Sequence, residues 1–134
     1  MLTFGTAVPV LQVQDVAKSI AWYRQALGFS GDPFPAQPPF SFAILRRDKV
    51  EIMLQGGQVN GARPTGGWAI YLRLAGGELL ALAKNVQQHT PLLRKPERMF
   101  YGQVEFEIAD PHGHRICIAE ALPSSAPVPL AAES

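Results

Sequence analysis

One stretch near the N-terminus contains every local signal of a strand followed by a helix, and it constrains the fold more than any other part of the chain. Residues 7–13 form a predicted strand, and Asp15 follows where a carboxylate can accept hydrogen bonds from the first amides of a helix. The predicted helix has one apolar stripe with helical spacing, made of Val16, Ile20, Tyr23 and Leu27. Gly28 supplies a left-handed stop, so the helix is predicted to end there.

The second half of the chain repeats the order of elements found in the first half. Four prolines within residues 30–40 exclude a helix or a central strand and predict an extended loop. Two strands of a hairpin follow at 41–45 and 50–55, joined by a polar turn. The second half then has a strand at 68–74, a helix at 78–88, an irregular segment or short edge strand at 92–100, and strands at 103–108 and 115–119.

This repeat predicts an α+β fold in which two βαβββ halves form a curved sheet around a cavity. The halves cover about residues 5–56 and 67–121, giving a single domain at 1–122 and a flexible tail at 123–134. A chain of 134 residues with 47% hydrophobic residues can build one such core. Because each half has a helix for only one sheet face, the other face is free to line a ligand cavity.

Charge, cysteine content and hydropathy argue against several classes of function. The net charge is +1 and the cations are not clustered, so no nucleic-acid partner is expected. The single cysteine, Cys117, cannot form an internal disulfide and suits a reducing compartment. No apolar run approaches the roughly 20 residues of a membrane span, and the N-terminus lacks the charged start of a signal peptide. We therefore expect a cytoplasmic protein without a membrane partner.

Two motifs resemble the glyoxalase/bleomycin resistance/dioxygenase superfamily, also called the vicinal oxygen chelate proteins. The first lies in residues 10–15, 19–23 and 27–29, and the second in 106–116; the resemblance covers about residues 7–120. Within that superfamily, the chain looks most like the bleomycin resistance proteins. The resemblance implies a paired βαβββ fold, usually a homodimer, with ligand cavities walled by both halves and often by both subunits.

The metal enzymes of that superfamily place their ligands on four strands. Carried over by resemblance, these positions fall on Val8, Glu51 and Cys117, and on Ala69 or Trp68. One carboxylate and one thiol do not make a site for a divalent metal. We therefore expect no metal and no cofactor, in a protein that binds and sequesters a small molecule. The alternative is a metal-dependent glyoxalase-family lyase, isomerase or dioxygenase that holds its metal partly through Glu51.

Aromatic and charged side chains predicted to face the cavity are the candidate ligand contacts. They are Phe34, Phe40, Glu51, Trp68, Tyr71 and Arg73. Glu51 and Arg73 either pair with each other inside the cavity, contact the ligand as a pair, or both lie in solvent. Flat apolar rings beside an arginine predict a planar or aromatic ligand that carries an acidic group.

Overall fold

The computed structural model of the chain describes residues 1–57 and 67–123, and within them the βαβββ order occurs twice. The chain divides into two compact units, Met1–Ala62 and Arg63–Ser134. The predicted α+β class and the two repeats are therefore confirmed. The predicted tail lies, from residue 124 onward, outside the described residues, and the single domain at 1–122 stays a prediction.

The first unit contains one helix and a four-stranded sheet. Its elements are β1 (Val10–Val13), α1 (Val16–Leu27), β2 (Ser30–Phe34), β3 (Phe42–Arg47) and β4 (Val50–Gly56). The strand order is β1-β4-β3-β2, with β1 parallel to β4 and the other pairs antiparallel.

The predicted boundaries of α1 are confirmed by its hydrogen bonds. The Asp15 carboxylate accepts from the backbone amide of Lys18 at 3.0 Å. At the other end, Gly28 has a φ of 70° and its amide donates to the carbonyl of Arg24 at 3.0 Å. A residue with a Cβ is strained at this φ, which explains why a glycine ends the helix here.

Strand β2 corrects the prediction of an extended loop at 30–40. Ser30–Phe34 pair with β3 in antiparallel register, and Pro33 lies opposite Ala43. The strand is at the edge of the sheet, where a proline can direct its missing N–H position away from the partner strand. The prolines therefore excluded a central strand correctly but did not exclude an edge strand.

The second unit repeats this topology. Its elements are β5 (Ile70–Leu74), α2 (Leu79–Val86), β6 (Arg94–Arg98), β7 (Gln103–Ala109) and β8 (Arg115–Ala121). The strand order is β5-β8-β7-β6, with β5 parallel to β8. The Glu120 carboxylate of β8 accepts hydrogen bonds from the amides of Gly77 and Leu79, and so holds the start of α2 against one sheet face.

In each unit, one face of the sheet packs against the helix and is apolar. The fully buried side chains on these faces include Leu45, Ile52, Leu54, Phe106, Ile108 and Ile116. We call the opposite face of each sheet the helix-free face. In the first unit it carries Asp32, Phe34, Phe42, Ile44, Arg46, Glu51 and Met53; in the second it carries Tyr71, Arg73, Glu105, Glu107, Arg115 and Cys117.

Candidate functional site

The helix-free face of the second unit carries two buried carboxylates that the sequence analysis did not single out. Glu105 and Glu107 alternate along β7 with Phe106 and Ile108, which face the helix. The Glu105 side chain is 0% exposed and Glu107 is also buried. Because burying a charge is costly, both carboxylates must be held by donors.

Glu105 is held by two phenols and one guanidinium. Its Oε2 accepts from the hydroxyl groups of Tyr71 and Tyr101, both at 2.6 Å, and its Oε1 accepts from Arg94 Nη2 at 2.9 Å. Burial opposes ionisation of Glu105, but hydrogen bonds from these three residues and from Cys117 outweigh it and lower the pKa of the carboxyl. Burial and the bond to Glu105 raise the pKa of each phenol, so both tyrosines keep their protons.

Glu107 shares Arg94 with Glu105. Its Oε2 accepts from Arg94 Nε at 2.8 Å, and its Oε1 accepts from Arg115 Nη2 at 2.6 Å. Burial opposes ionisation here as well, but the neighbouring side chains of Trp68, Arg94 and Arg115 outweigh it and lower the pKa of the carboxyl. Burial works against the charge of Arg94, yet its bonds to Glu105 and Glu107 raise its pKa.

Arg94 reaches both carboxylates from the edge strand β6. The pairing of β6 with β7 shifts register between Arg94 and Glu97, so this strand is irregular where the guanidinium is placed. Glu97 lies 3.7 Å from Arg94 Nη1 and is a third, longer ion-pair partner. Arg94 is thus the residue that joins the buried ion pairs, and we call Arg94, Glu105, Glu107 and Arg115 the ionic network.

Two pairs of partly exposed aromatic rings adjoin the ionic network through Tyr71 and Tyr101, which are bonded to Glu105. Trp68 is 46% exposed, and its ring centroid lies 5.1 Å from that of Tyr71 at an interplanar angle of 43°. Phe100 and Tyr101 form an edge-to-face pair with centroids 5.1 Å apart, and they are 59% and 44% exposed. The guanidinium of Arg73 lies 5.7 Å from the centre of the Tyr71 ring. Buried charges and partly exposed flat rings therefore lie next to each other in the second unit.

Cys117 lies on the same helix-free face and is completely buried. Burial, followed by the neighbouring Glu105 charge, raises the pKa of its thiol to about 12. A thiol with this pKa keeps its proton near neutral pH and is a poor nucleophile. This supports the prediction of an inert buried thiol.

Glu51 and Phe34, two of the predicted site residues, lie in the first unit with other partners. Glu51 accepts from Arg46 Nε at 3.0 Å, and Arg46 Nη1 donates to Asp32 at 2.8 Å. Phe34 is 47% exposed, with its ring centroid 6.0 Å from that of Phe42.

The second unit brings together the other predicted residues, Trp68, Tyr71 and Arg73. Phe40 is half-buried in the first unit. The predicted pairing of Glu51 with Arg73 would join the two units and stays a prediction, as do the roles of all six residues in binding.

The side chains at the metal-ligand positions implied by resemblance do not suit a metal. Val8 and Ala69 have no ligating atom in their side chains, the indole of Trp68 offers none either, and Glu51 already accepts from Arg46. Within residues 1–57 and 67–123, no three or more His, Cys, Asp or Glu side chains are grouped so that they could hold an ion. This donor set does not fit the metal chemistry of the alternative enzyme interpretation.

Solved structures with the same fold cover nearly the whole chain. TioX from Micromonospora sp. ML1 has a TM-score of 0.70 at 15% identity, covering 89% of this chain and 100% of that one. A glyoxalase/bleomycin resistance protein/dioxygenase from Nocardioides has a TM-score of 0.71 at 16% identity, covering 97% and 92%. Virulence protein STM3117 from Salmonella typhimurium has a TM-score of 0.63 at 23% identity, covering 91% and 100%.

At these identities, the structural likeness establishes the fold. It confirms the predicted glyoxalase/bleomycin resistance fold, while the closer resemblance to the bleomycin resistance proteins stays a prediction. No protein-family model matches the sequence, and no curated protein matches it. Within the part of the chain that the structure describes, no helix has the length and apolar character needed to cross a membrane.

Proposed function

We propose that this chain is a metal-independent small-molecule binding protein of the bleomycin resistance type, which sequesters a planar or aromatic ligand with an acidic group. The observation that carries the proposal is the ring pair of Trp68 and Tyr71. The Tyr71 hydroxyl is bonded to the buried Glu105 carboxylate, and the Trp68 ring, 5.1 Å from the Tyr71 ring, keeps almost half of its surface exposed.

Fixed rings favour a flat ligand for an energetic reason. Ordering a side chain on binding costs about 0.5–1.5 kcal/mol for each residue immobilised. The hydroxyl group of Tyr71 is already bonded to Glu105, and the Trp68 ring packs against the Tyr71 ring. Their faces are therefore available for stacking with little further loss of conformational freedom.

The charges on this face favour an acidic ligand over a cationic one. Both buried carboxylates already accept bonds from arginine, so neither is free for an ammonium group. Among residues 67–123, no carboxylate forms an ion pair with Arg73, whose guanidinium is exposed beside the rings. A planar guanidinium can bind a carboxylate through two parallel hydrogen bonds.

A charge series on one ring system tests the proposal. The probes are 2-naphthoate, the neutral 2-naphthalenemethanol and the cationic 2-(aminomethyl)naphthalene, titrated by calorimetry. We expect 2-naphthoate to bind best, and Arg73→Ala to weaken it by about 1.5–3 kcal/mol through loss of a charged hydrogen bond. Arg98→Ala, which removes an exposed arginine from the helix side of the same sheet, is the matched control and should bind normally. Stronger binding of the cationic probe would contradict a site that prefers acidic ligands.

We also propose that two copies pair as a homodimer and share the ligand cavity. The helix-free face of the first unit supports this because Val10 and Phe34 are about half exposed there, beside Phe42, Ile44 and Met53. Apolar patches of this kind are typical of interfaces. Light scattering at tens of micromolar should give a dimer for the natural chain and for Leu80→Asp on α2, but a monomer for Phe34→Asp. A monomeric natural chain would contradict pairing.

A further inference from the structure

One buried oxygen atom organises two separate pairs of aromatic rings. Glu105 Oε2 accepts from both Tyr71 and Tyr101, so the two hydroxyl groups are necessarily neighbours. Tyr71 contacts Trp68, and Tyr101 contacts Phe100. The two ring pairs therefore flank a single carboxylate that is itself fully buried.

The second ring pair, Phe100 and Tyr101, belongs to a tight turn. Phe100 and Tyr101 lie between β6 and β7, where the Met99 amide donates to Gln103 at 2.7 Å and the Gly102 amide donates to Met99 at 3.1 Å. Gly102 has a φ of 86°, a conformation that glycine adopts without strain. Backbone bonds fix the base of this pair, and the bond to Glu105 fixes the ring of Tyr101, against which Phe100 packs.

We propose that Phe100 and Tyr101 form a second aromatic wall of the ligand site, and that Glu105 is a positioning residue that fixes both walls. This inference rests on the proposed function, and it adds residues that determine which ligands fit. Glu105 does not touch the ligand, because its side chain has no exposed surface. It acts through the two phenols, and its own geometry is fixed in turn by Arg94.

A role in ligand binding explains why the apolar ring of Phe100 is exposed to water. Phe100 is the more exposed of the pair, and leaving an apolar ring in water forfeits roughly 25 cal/mol for each Å² that could be buried. A bound planar ligand would cover this surface while leaving the buried bonds of Glu105 unchanged. Stacking on a fixed ring adds about 0.5–1.5 kcal/mol beyond the burial of area.

Three variants test the wall with 2-naphthoate as the probe, in calorimetric titrations of the full chain. Phe100→Ala should weaken binding about threefold to tenfold, which corresponds to the loss of one stacking contact. Tyr101→Phe keeps the ring but removes its bond to Glu105, and should weaken binding about threefold. Leu93→Ala removes an exposed apolar side chain elsewhere in the same unit and should leave binding unchanged.

A readout without ligand tests the positioning role separately. Hydroxyl protons of Tyr71 and Tyr101 should exchange slowly enough to be seen by NMR in the natural chain, and both should be lost in Glu105→Leu, whose side chain cannot accept a hydrogen bond. Tyr101→Phe assigns the two signals, because it removes its own hydroxyl proton and should leave that of Tyr71 in slow exchange; the natural chain then decides the test if Glu105→Leu does not fold. Fast exchange of both hydroxyl protons in the natural chain would overturn the role of Glu105.

The outcomes separate this inference from the proposed function. If 2-naphthoate binds and Arg73→Ala weakens it, but Phe100→Ala and Tyr101→Phe do not, the second wall is wrong and the proposed function stands. If the natural chain binds no member of the naphthalene series, the proposed function fails and the second wall fails with it. In that case the hydroxyl protons still decide whether Glu105 fixes the tyrosines.

Discussion

The two units have the same topology, but only the helix-free face of the second buries its charged groups. The face of the first unit is mainly apolar, with Phe34 and Phe42 in ring contact and an ion-pair trio near the β3–β4 turn. The face of the second unit carries the buried ionic network. One topology therefore supports both a predicted interface between copies and a predicted ligand site, depending on what its helix-free face carries.

The helix sides of the two sheets explain why both units have the same topology although their helix-free faces differ. Leu45 and Ile52 in the first unit, and Phe106 and Ile116 in the second, are all fully buried. These apolar positions fix the register, because a shift by one residue would turn them away from the helix. The helix-free positions do not carry this constraint and can differ between the units.

Burial also decides how much each set of ion pairs contributes, and this gives the largest predicted effect. Removing Arg94 leaves two buried carboxylates without their shared partner, so Arg94→Met should lower the free energy of unfolding by about 3–5 kcal/mol. Arg46→Met breaks two pairs on a half-exposed arginine and should cost about 1 kcal/mol or less. Urea unfolding of both variants measures the contrast, and equal losses would contradict it.

The ionic network should also make the protein sensitive to acid. The native pKa of Glu105 is lowered, so its charge stabilises the folded state above the unfolded value of about 4.3. That contribution is lost as the pH falls through the lower native pKa. Urea unfolding between pH 7 and pH 3 should show a steep decline for the natural chain and a flatter one for Glu105→Gln. Identical pH profiles would remove Glu105 as the cause.

The smallest predicted effect lies in the way the two helices are capped. Asp15 caps α1 from the adjacent residue, whereas α2 has no side-chain cap at Glu78 and relies on Glu120 from β8. Asp15→Ala should lower the free energy of unfolding by about 1 kcal/mol. Glu120→Ala should cost somewhat more, because two amides lose their acceptor and α2 loses a tie to the sheet. Thermal unfolding compares the two, and a larger loss for Asp15→Ala would contradict this order.

Sequence patterns predicted the helix sides of both sheets well. The stripe through α1, its cap at Asp15 and its stop at Gly28 are local features, and local features decide helix boundaries. Alternation along the strand after residue 67 also placed Tyr71 and Arg73 together on the face opposite Ile70 and Leu72.

Alternation along β7 did not indicate that the carboxylates of the ionic network are buried. Glu105 and Glu107 alternate with apolar residues, a pattern typical of a strand with one face in water. Their burial depends on Tyr71, Arg94 and Tyr101, which come from three other parts of the chain.

One feature of the sequence was consistent with burial of Glu105 and Glu107. Cys117 and Ala119 lie beside Glu107 and Glu105 in register, and two uncharged small side chains are unusual on a face in water. The pattern within β7 alone does not reveal this feature, because it appears only when the pairing of β7 with β8 is known.

The position of the ligand tests the contrast between the units most directly. The chain has two tryptophans, and each unit holds one: Trp22 in α1 and Trp68 just before β5. Protein labelled with 5-fluorotryptophan gives one fluorine resonance for each, assigned with Trp22→Phe. Titration with 2-naphthoate should shift the resonance of Trp68 and leave that of Trp22 unchanged. A shift of Trp22 alone, or no shift of Trp68 at saturation, would contradict a ligand site on the second unit.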